Sequence, residues 1–493
     1  MLALKQFSLI YAIKARRILN ASCRPGGLNM NRGLVLMLVT TSALALSACG
    51  GGEKIKLSDY NPFKAVEKGE TAEATADDAN GLTETIPTLS AMIGSASAKV
   101  DVDAGFVVAM RQALAADPFV VQAKNEAAAR SANARITASG KDFNFDATLL
   151  GGVEDVTDET AGVATILSAK RMLYDGGRLD AQIAADTHAA KSAEYAISAT
   201  QNDRAVKMAH AWIELERYRE LQSQIDLRLT VLDPLLVQLE EVAKSGMGDA
   251  SQVAAAQRTV SLIRMTQTDV AQRYEQSKVT YINLFGSLPE KSTYDASQIS
   301  KAVPSGKSTK LAEKAPALLA KYEAYRAAEA GVTAVKALDK FSLGFEAKLQ
   351  KPFGGSGYAS DESVGLVLRK TLFKGDQLTS RIANAEATAA AQADQVRSTY
   401  RDGERALSSA RQVIVSMDKA IELSRFNAQI TRSEIDYLRK QLIIGGSTLD
   451  SVLSAEARLF DAESKEIGFT AERRKAEATI LGITGKFTQL LKL

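Results

Sequence analysis

The hydrophobic positions of this chain follow a helical period over long stretches and a period of two over short ones. Over residues 103–139, Phe106, Met110 and Leu114 recur at helical spacing until Pro118 interrupts them. Apolar residues then alternate with polar ones, which predicts a strand with one apolar face. The apolar side of this alternation consists of Phe143, Phe145, Ala147 and Leu149. A weaker alternation predicts a second strand over residues 164–173.

The longest uninterrupted helix is predicted over residues 178–245, which contain no glycine and a single proline, Pro234. At ~1.5 Å per residue such a helix extends about 100 Å. Pro234 is expected to kink the helix or to mark a junction in it. Gly246 ends the helix, and Asp249 or Ser251 can cap a return helix that continues to about residue 285.

The second half of the chain repeats this order of elements. A helix is predicted over residues 308–340, two strands follow it, and a second long helix is predicted over residues 378–444. The apolar faces of the two strands carry Phe341, Leu343, Phe345, Ala347 and Leu349 in one, and Val364, Leu366 and Leu368 in the other. Gly445 and Gly446 end the long helix, and a return helix capped by Ser447 or Thr448 ends near residue 485.

Four landmarks relate the two halves in one register. The glycine pairs are Gly176 with Gly375, Gly246 with Gly445, and Gly286 with Gly485, each 199 positions apart, while Pro118 and Pro316 are 198 apart. This period is far longer than the ~20–50 residues of a solenoid repeat. The register therefore indicates a duplicated unit. We assign residues 103–290 to the first structural repeat, 291–313 to an inter-repeat equatorial linker, and 314–493 to the second repeat.

The lengths of the predicted helices suggest how each repeat is built. The helix before the hairpin and the helix after the glycine break together match the long helix. Two shorter helices stacked end to end would then run beside one long helix, forming a rod about 100 Å long. The glycine break closes the rod at one end, and the β-hairpin closes it at the other.

Composition agrees with a mainly helical protein, since 46% of residues are hydrophobic, only 6% are aromatic and nine are proline. The net charge of +3 originates in residues 1–48, which contain six basic residues and no acidic one. The remaining 55 basic and 58 acidic residues give a charge of −3. No basic patch indicates a nucleic acid partner, and Cys23 and Cys49 alone cannot form a disulfide framework.

The N-terminal residues have the pattern of a secretory signal. Residues 1–48 are interpreted as a signal peptide whose true start is near Met30, because Arg32 and the apolar run 33–46 form a complete signal. Residues 46–49, Leu-Ser-Ala-Cys, resemble the bacterial lipobox, in which the cysteine is acylated, with palmitate among its chains, and becomes the mature N-terminus. Cys49 is therefore the predicted lipidation site; an ordinary signal peptide with an incidental cysteine is the alternative. Residues 49–102 are read as the lipidated N-terminus and a flexible tether.

The strands have the length and pattern of membrane-spanning β-strands, with one apolar and one polar face. Four strands cannot close a barrel, which needs about eight, and open edges are not tolerated in lipid. Copies of the chain must therefore complete the barrel, and three copies supply 12 strands. We expect six residues to face lipid: Phe143, Phe145, Leu343, Phe345, Leu366 and Leu368. The helices of the same copies would form a tube continuous with the barrel.

These features resemble the TolC-like outer membrane factors, the outer membrane efflux proteins, in their lipoprotein form. The resemblance covers residues 103–490 and rests on two strand-to-helix junctions and two glycine breaks. The junction glycines are Gly176, Gly177 and Gly375, and the breaks lie at 246–251 and 445–450. The long tether and the irregular first break depart from the family pattern.

The resemblance implies a mainly α fold with a small β-barrel portion. Duplicated coiled-coil hairpins and four transmembrane strands per protomer would form a homotrimer, with a 12-stranded barrel on an α-helical barrel. It also implies a lipid-anchored outer-membrane protein that extends into the periplasm. Such a protein is the exit duct of a tripartite efflux pump or a type I secretion system. Its partners would be outer-membrane lipid, a periplasmic adaptor, and an inner-membrane pump of the RND or ABC type.

Candidate gate residues lie at the predicted periplasmic tip: Gly246, Asp249, Gly445, Gly446 and Asp450. In a trimer, Asp249 and Asp450 would each occur three times near the narrow end, and carboxylate rings select or hold cations in pores. Both aspartates also suit N-capping, because a carboxylate near a helix N-terminus offsets the dipole. Both roles can hold together.

No catalytic constellation is present, and the only histidines, His188 and His210, lie 22 positions apart on one helix without a cysteine partner. We therefore predict no enzyme activity, no cofactor and no metal site. The alternative to an export duct is a lipid-anchored periplasmic coiled-coil scaffold with a soluble hairpin pair. The sequence does not identify the cargo, which could be a drug, a metal ion, a polysaccharide or a protein.

Overall fold

The computed structural model describes residues 100–153, 161–246, 249–290, 296–353, 358–372 and 375–492, together with Leu89. The signal peptide predicted over 1–48, the lipidation site Cys49 and nearly all of the tether lie outside these residues. The other predicted helices and strands fall within them, apart from short loops.

The first half contains four helices and a β-hairpin. In chain order they are α1 (Phe106–Ala116), α2 (Pro118–Ser139), β1 (Asn144–Val153), β2 (Ala161–Tyr174), α3 (Arg178–Lys244) and α4 (Ala250–Phe285). Pro118 is the first residue of α2, where its missing N–H costs nothing, and the Asp117 carboxylate accepts a hydrogen bond from the Phe119 amide at 3.0 Å. The helix α3 is continuous through Pro234, so no junction interrupts its 67 residues.

The second half has the same order after two short linker helices. It consists of α5 (Ala296–Ala302), α6 (Ser308–Ala312), α7 (Pro316–Lys336), β3 (Ser342–Phe353), β4 (Asp361–Arg369), α8 (Gln377–Ile443), α9 (Leu449–Ile483) and α10 (Lys486–Leu491). The single helix predicted over 308–340 was wrong. Ala315 is extended, because a residue before proline avoids the helical conformation, and α7 begins at Pro316.

The helices form a layer in which short helices are stacked beside long ones. One side of α3 contacts α2 and α4, while α7 and α9 both lie between α3 and α8. Each long helix has 67 residues, which corresponds to about 100 Å at ~1.5 Å per residue. The stacking of two short helices along one long helix agrees with the prediction from helix lengths.

A compact hydrophobic core lies midway along the layer, where the short helices α1, α5 and α10 pack against α3, α4 and α9. Trp212 is fully buried there, with its ring 5.3 Å from Phe106 and 5.4 Å from Phe285, measured between centroids. Edge-to-face aromatic packing of this kind adds to the burial of apolar area. This cluster holds the linker between the repeats against the helical layer.

The four strands form one antiparallel sheet in the order β1-β2-β3-β4. The two hairpins therefore lie side by side, joined through the pairing of β2 with β3. Strand β1 follows α2 and strand β4 precedes α8, so the outer strands of the sheet continue into opposite sides of the helical layer.

Candidate channel wall and tip

One face of the sheet is apolar and exposed. The strand register aligns Phe145, Ala169, Ala347 and Val364 in one row and Arg171, Phe345 and Leu366 in the next. Val364, Leu366 and Phe145 are 76%, 64% and 75% exposed. Such a face in water would be an aggregation hazard, whereas lipid suits it.

The opposite face of the same sheet is polar. Its rows align Asn144, Lys170 and Glu346 at one level, and Asp146, Ser168, Lys348 and Ser363 at the next. Ion pairs join neighbouring strands on this face, with the Arg369 guanidinium 2.7 Å from the Glu346 carboxylate and the Lys348 amine 3.3 Å from the Asp361 carboxylate. The sheet thus has one apolar and one polar face.

Aromatic residues mark the end of the sheet that is nearest the helices. The rings of Tyr174 and Phe341 lie 4.9 Å apart, and the Arg171 guanidinium lies 5.0 Å from the centroid of the Phe143 ring. These aromatic side chains lie on the apolar side and are partly exposed. Amphipathic and aromatic groups at this level are typical of a membrane–water interface.

The predicted junction glycines occupy the turns between strands and long helices. Gly176, Gly177 and Gly375 all have positive φ angles, of +73°, +83° and +56°. A Cβ atom on Gly176 would lie 2.5 Å from Cβ of Lys340, whose amine donates a hydrogen bond to the Gly176 carbonyl at 3.0 Å. The close approach of these two segments requires glycine at this turn.

The predicted tip residues lie together at the end of the layer that is remote from the sheet. Gly246 and Gly445 have the same φ angle of +77° at the ends of α3 and α8. The return helices α4 and α9 begin next to one another, with Val253, Leu449 and Leu453 in one hydrophobic cluster. A Cβ atom on Gly446 would meet the amide end of the flexible Gln441 side chain, which would have to move.

Asp249 and Asp450 differ in their local roles. Asp249 caps α4: its carboxylate accepts hydrogen bonds from the Ser251 amide at 2.8 Å and from the Ser251 hydroxyl at 2.6 Å. These bonds favour the ionised form and lower the pKa of Asp249. Thr448 caps α9 instead, and Asp450 lies in the first turn of that helix, where its negative charge suits the dipole.

A buried network of charges joins three helices above the tip. The Arg228 guanidinium of α3 contacts the Glu456 carboxylate and donates to the Glu463 carboxylate at 2.7 Å. Arg439 lies 2.8 Å from Glu456, and Arg432 lies 2.7 Å from Glu463. Arg432 and Arg439 of α8 are therefore in interhelix pairs with α9. The network links α3 to the α8–α9 hairpin.

The sequence analysis did not predict this network, although the position of Arg228 among apolar residues of α3 indicated it. Arg228 lies in the seam of α3 that also contains Leu221, Ile225 and Leu232, all buried. A charged residue at a core position of a helical seam is seldom tolerated without a partner. Glu456 is likewise enclosed between the buried residues Leu453 and Leu459.

The histidines have structural partners. His188 Nδ1 lies 2.6 Å from the Glu323 carboxylate, and His210 Nε2 lies 3.2 Å from the Lys475 carbonyl oxygen. Burial lowers the pKa of His210. Over the residues that the structure describes, no group of three or more His, Cys, Asp or Glu side chains is placed to hold a metal ion. No helix in this part of the chain is long and apolar enough to cross a membrane.

Among the described residues, the two outer edges of the sheet and one face of α8 have no packing partner. Strands β1 and β4 each lack a strand partner on their outer edge. The helix α8 exposes a stripe opposite its buried face, formed by Leu423, Phe426, Ile430 and Tyr437 at spacings of three, four and seven. We refer to these four residues as the free seam of α8. Such heptad spacing is typical of a helix that packs against another helix.

Comparisons with known proteins agree with this architecture. Residues 308–486 match the family model of the outer membrane efflux proteins. CusC, whose structures concern transmembrane channel formation, is 15% identical with a TM-score of 0.67, and the match covers 77% of this chain and 91% of that one. Comparison with curated protein sequences finds no match.

Two further channels share the fold. VceC, an outer membrane protein of Vibrio cholerae, is 16% identical with a TM-score of 0.66 over 76% of this chain and 95% of that one. The MtrE outer membrane channel of Neisseria gonorrhoeae is 15% identical with a TM-score of 0.64, covering 79% and 93%. At these identities the likeness establishes the fold.

The fold, a two-faced sheet on a layer of long paired helices, is that of the outer-membrane channels. Residues 308–486 resemble the outer membrane efflux protein family, so the predicted resemblance to that family is confirmed. The matched proteins are channels rather than enzymes.

Proposed function

We propose that three copies of this chain form the outer-membrane exit duct of a tripartite efflux pump or a type I secretion system. The observation that carries the proposal is the sheet, because it exposes one apolar face, leaves both edges unpaired and continues into helices about 100 Å long. Three sheets supply 12 strands, whereas the eight strands of two copies would close a barrel that side chains fill.

The barrel portion would cross the outer membrane. The strands contain 10, 14, 12 and 9 residues, and ~9–11 residues suffice to cross a bilayer at a tilt. Phe143, Phe145, Leu343, Phe345, Leu366 and Leu368 would face lipid. The polar rows that contain Glu346 and Lys348 would line the lumen.

The helices would form the wall of a tube in the periplasm. Each protomer contributes a layer with two open sides, formed by α2 and α4 on one side and by α8 on the other. Packing the free seam of α8 against the next copy would bury its apolar residues. The same three copies would then close both the β-barrel and the helical tube.

The far end of the tube would be the gate. The glycine turns at Gly246, Gly445 and Gly446 would form the periplasmic tip, where a trimer repeats Asp249 and Asp450 threefold. Three carboxylates at a narrow opening repel one another unless they are paired or bind cations. The same turns are where an adaptor and an RND or ABC pump would connect with the duct.

Lipidation at Cys49 would add an anchor in the outer membrane. Two acyl chains hold a protein firmly on a membrane, whereas one is marginal. The support for this part is the Leu-Ser-Ala-Cys sequence after an apolar run. Mass spectrometry of the purified protein should find an acylated N-terminal Cys49 peptide, and an unmodified peptide spanning residues 48–50 would contradict it.

The alternative is a periplasmic scaffold in which the hairpins are soluble. The exposed apolar rows around Val364 and Leu366 disfavour it, because a soluble sheet would cover them. The test is to purify the protein from outer-membrane fractions and record from planar bilayers. We expect a heat-modifiable trimer with stepwise conductance, and a soluble species without conductance would support the scaffold.

A further inference from the structure

A cation lies among apolar side chains on the apolar face of the sheet. Arg171 of β2 is paired in register with Phe345, and its guanidinium lies 5.0 Å from the centroid of the Phe143 ring. The rings of Phe143 and Phe345 are themselves in edge contact, so Arg171 belongs to the same face. A charge on a lipid-facing surface is costly near the middle of a bilayer and tolerated near its surface. The position of Arg171 therefore indicates a partner for its charge.

No carboxylate in the part of the chain that the structure describes pairs with Arg171. Its Nε atom donates a hydrogen bond to the Lys141 carbonyl oxygen at 3.1 Å, and no described residue accepts one from its two terminal nitrogens. At the other end of the same face, Lys351 is paired with Glu362. Arg171 is exposed, so a ligand can reach it. A guanidinium with its terminal nitrogens available can bind a phosphate group through two parallel N–H donors.

The Lys141 carbonyl directs the guanidinium towards the helices. Lys141 lies between α2 and β1, beyond the helical end of the sheet. The contacting rings of Tyr174 and Phe341 lie at this same end. Long cationic side chains extend along apolar surface to reach the headgroup region, where aromatic side chains also concentrate. The terminal nitrogens of Arg171 would then lie near the depth of the lipid phosphates.

We propose that Arg171 binds the phosphate group of an anionic phospholipid, whose acyl chains pack against Phe143 and Phe345. The inference rests on the proposed function, because it requires that this face of the sheet meets lipid. The occupant must carry a phosphate and apolar chains together, since the guanidinium stands among partly exposed aromatic side chains. An anionic headgroup is preferred to a zwitterionic one, because no described carboxylate contacts Arg171 and could receive an ammonium group.

Native mass spectrometry of the full-length protein in detergent counts the lipids that it retains. From an equimolar mixture of dioleoylphosphatidylglycerol and dioleoylphosphatidylcholine, one phosphatidylglycerol per copy should be retained in preference. Inorganic phosphate has the anion without the chains, and dioleoylglycerol has the chains without the anion, so neither should displace the phosphatidylglycerol. Equal retention of the two phospholipids, or displacement by either competitor, would overturn the proposal.

Arg171→Gln should weaken phosphatidylglycerol binding about fivefold, the effect of one exposed ion pair at contact distance in water. Lys170→Gln is the matched control, because it removes the same charge from the adjacent residue, which lies on the polar face opposite Glu346. It should leave the binding unchanged. Arg171→Lys should restore the affinity only in part, since an ammonium group lacks the planar pair of donors. Equal affinities of the Arg171→Gln and Lys170→Gln variants would overturn the site.

Planar bilayer recordings on the same preparations separate the failure of the site from the failure of the duct. The Arg171→Gln variant should still conduct, because the proposed site lies on the lipid face and outside the lumen. An unmodified protein that conducts but retains phosphatidylglycerol no better than phosphatidylcholine would reject the site and leave the duct intact. A protein that does not enter bilayers would reject both.

Discussion

The side chains on each face of the sheet determine whether that face suits lipid or water. Neighbours on a strand point to opposite sides, so Ser363 and Leu366, only three positions apart, lie on opposite faces. At the tip, the negative charge comes from individual carboxylates such as that of Asp249. The Asp249 carboxylate caps α4 by accepting two hydrogen bonds from Ser251. This capping role does not require the carboxylate to bind cations in the lumen.

Leu366→Arg should impair insertion and trimer formation. A cationic side chain on the lipid face costs roughly 2–4 kcal/mol per copy near the middle of the bilayer. Ser363→Arg on the polar face of the same strand is the control and should be mild. The measurement is the heat-modifiable trimer in outer-membrane fractions on gels. Equal behaviour of the two variants would refute the orientation of the sheet.

Asp249→Asn with Asp450→Asn should weaken block by multivalent cations in single-channel recordings. Asparagine caps a helix about as well as aspartate, so the change at Asp249 removes charge and keeps the cap. Because the pKa of Asp249 is lowered, the cation block in the unmodified protein should persist into mildly acidic solution. If block is unchanged in the double variant, only the capping role remains.

At the scale of elements, buried polar groups determine how helices are held in register. The network around Arg228 joins α3 to the α8–α9 hairpin with three guanidinium groups and two carboxylates. A second contact joins the linker helix α5 to α9, where the Ser300 hydroxyl donates to the Glu477 carboxylate at 2.9 Å. The first contact joins the two repeats, and the second joins the inter-repeat linker to the second repeat.

Glu456→Gln should destabilise the helical layer by about 1–3 kcal/mol, because it removes one of the two carboxylates that pair with the buried Arg228 and leaves only Glu463. Asp461→Asn is the control on the same helix: its partner Lys465 is exposed, and an exposed pair contributes roughly 0–1 kcal/mol. Thermal unfolding followed by circular dichroism measures both. Similar midpoints for the two variants would show that the network adds nothing to stability.

The contact of α5 with α9 should depend on pH. Burial raises the pKa of Glu477 above its ordinary value of 4.5, against the opposing effects of Arg473, Ser300 and Arg474. A raised pKa means that the docked state binds the proton more tightly, so the stabilisation is complete below about pH 4.5 and is lost as pH rises through the raised value.

Amide hydrogen exchange of residues 296–302, corrected for the intrinsic rate, measures this effect. Protection should decrease in the unmodified protein as pH rises above about 4.5 through the raised pKa of Glu477. Glu477→Gln, which remains neutral, should remove the dependence. The same slope in the variant would assign the effect to Asp418 or another nearby group.

The whole molecule is a duplicated unit with two open sides. The equivalence of Gly246 with Gly445, which have the same φ angle, shows the duplication in three dimensions as in the chain. Each repeat supplies a β-hairpin, a long helix and shorter stacked helices, and the pairing of β2 with β3 unites them in one sheet. The free seam of α8 and the outer edges of β1 and β4 are the surfaces that further copies would cover.

Phe426→Asp with Ile430→Asp should prevent the assembly of copies, because it places charge in the free seam of α8, where both residues are about half exposed. Gln429→Asp, an exposed position beside the seam, is the control and should assemble normally. Size-exclusion chromatography with light scattering distinguishes monomer from trimer. Trimers of normal stability in the double variant would show that this seam is not an interface.

The sequence by itself determined the order of elements, because periodicity and glycine positions are local properties. The long helices, the four strands and both glycine breaks follow from spacing alone, as does the identity of the apolar strand face. Helix capping was local too, so Asp249 and Thr448 were among the candidates. The helix predicted across Pro316 failed although the signal was local, because a residue before proline avoids the helical conformation and Ala315 is extended.

Only the tertiary structure decided what lies between elements. The network that joins Arg228 to Glu456 spans 228 positions, the close approach of Lys340 to Gly176 spans 164, and the pairing of β2 with β3 crosses the boundary between the repeats. Periodicity reports the environment of one segment, whereas these contacts depend on the relative position of two segments, which packing alone determines.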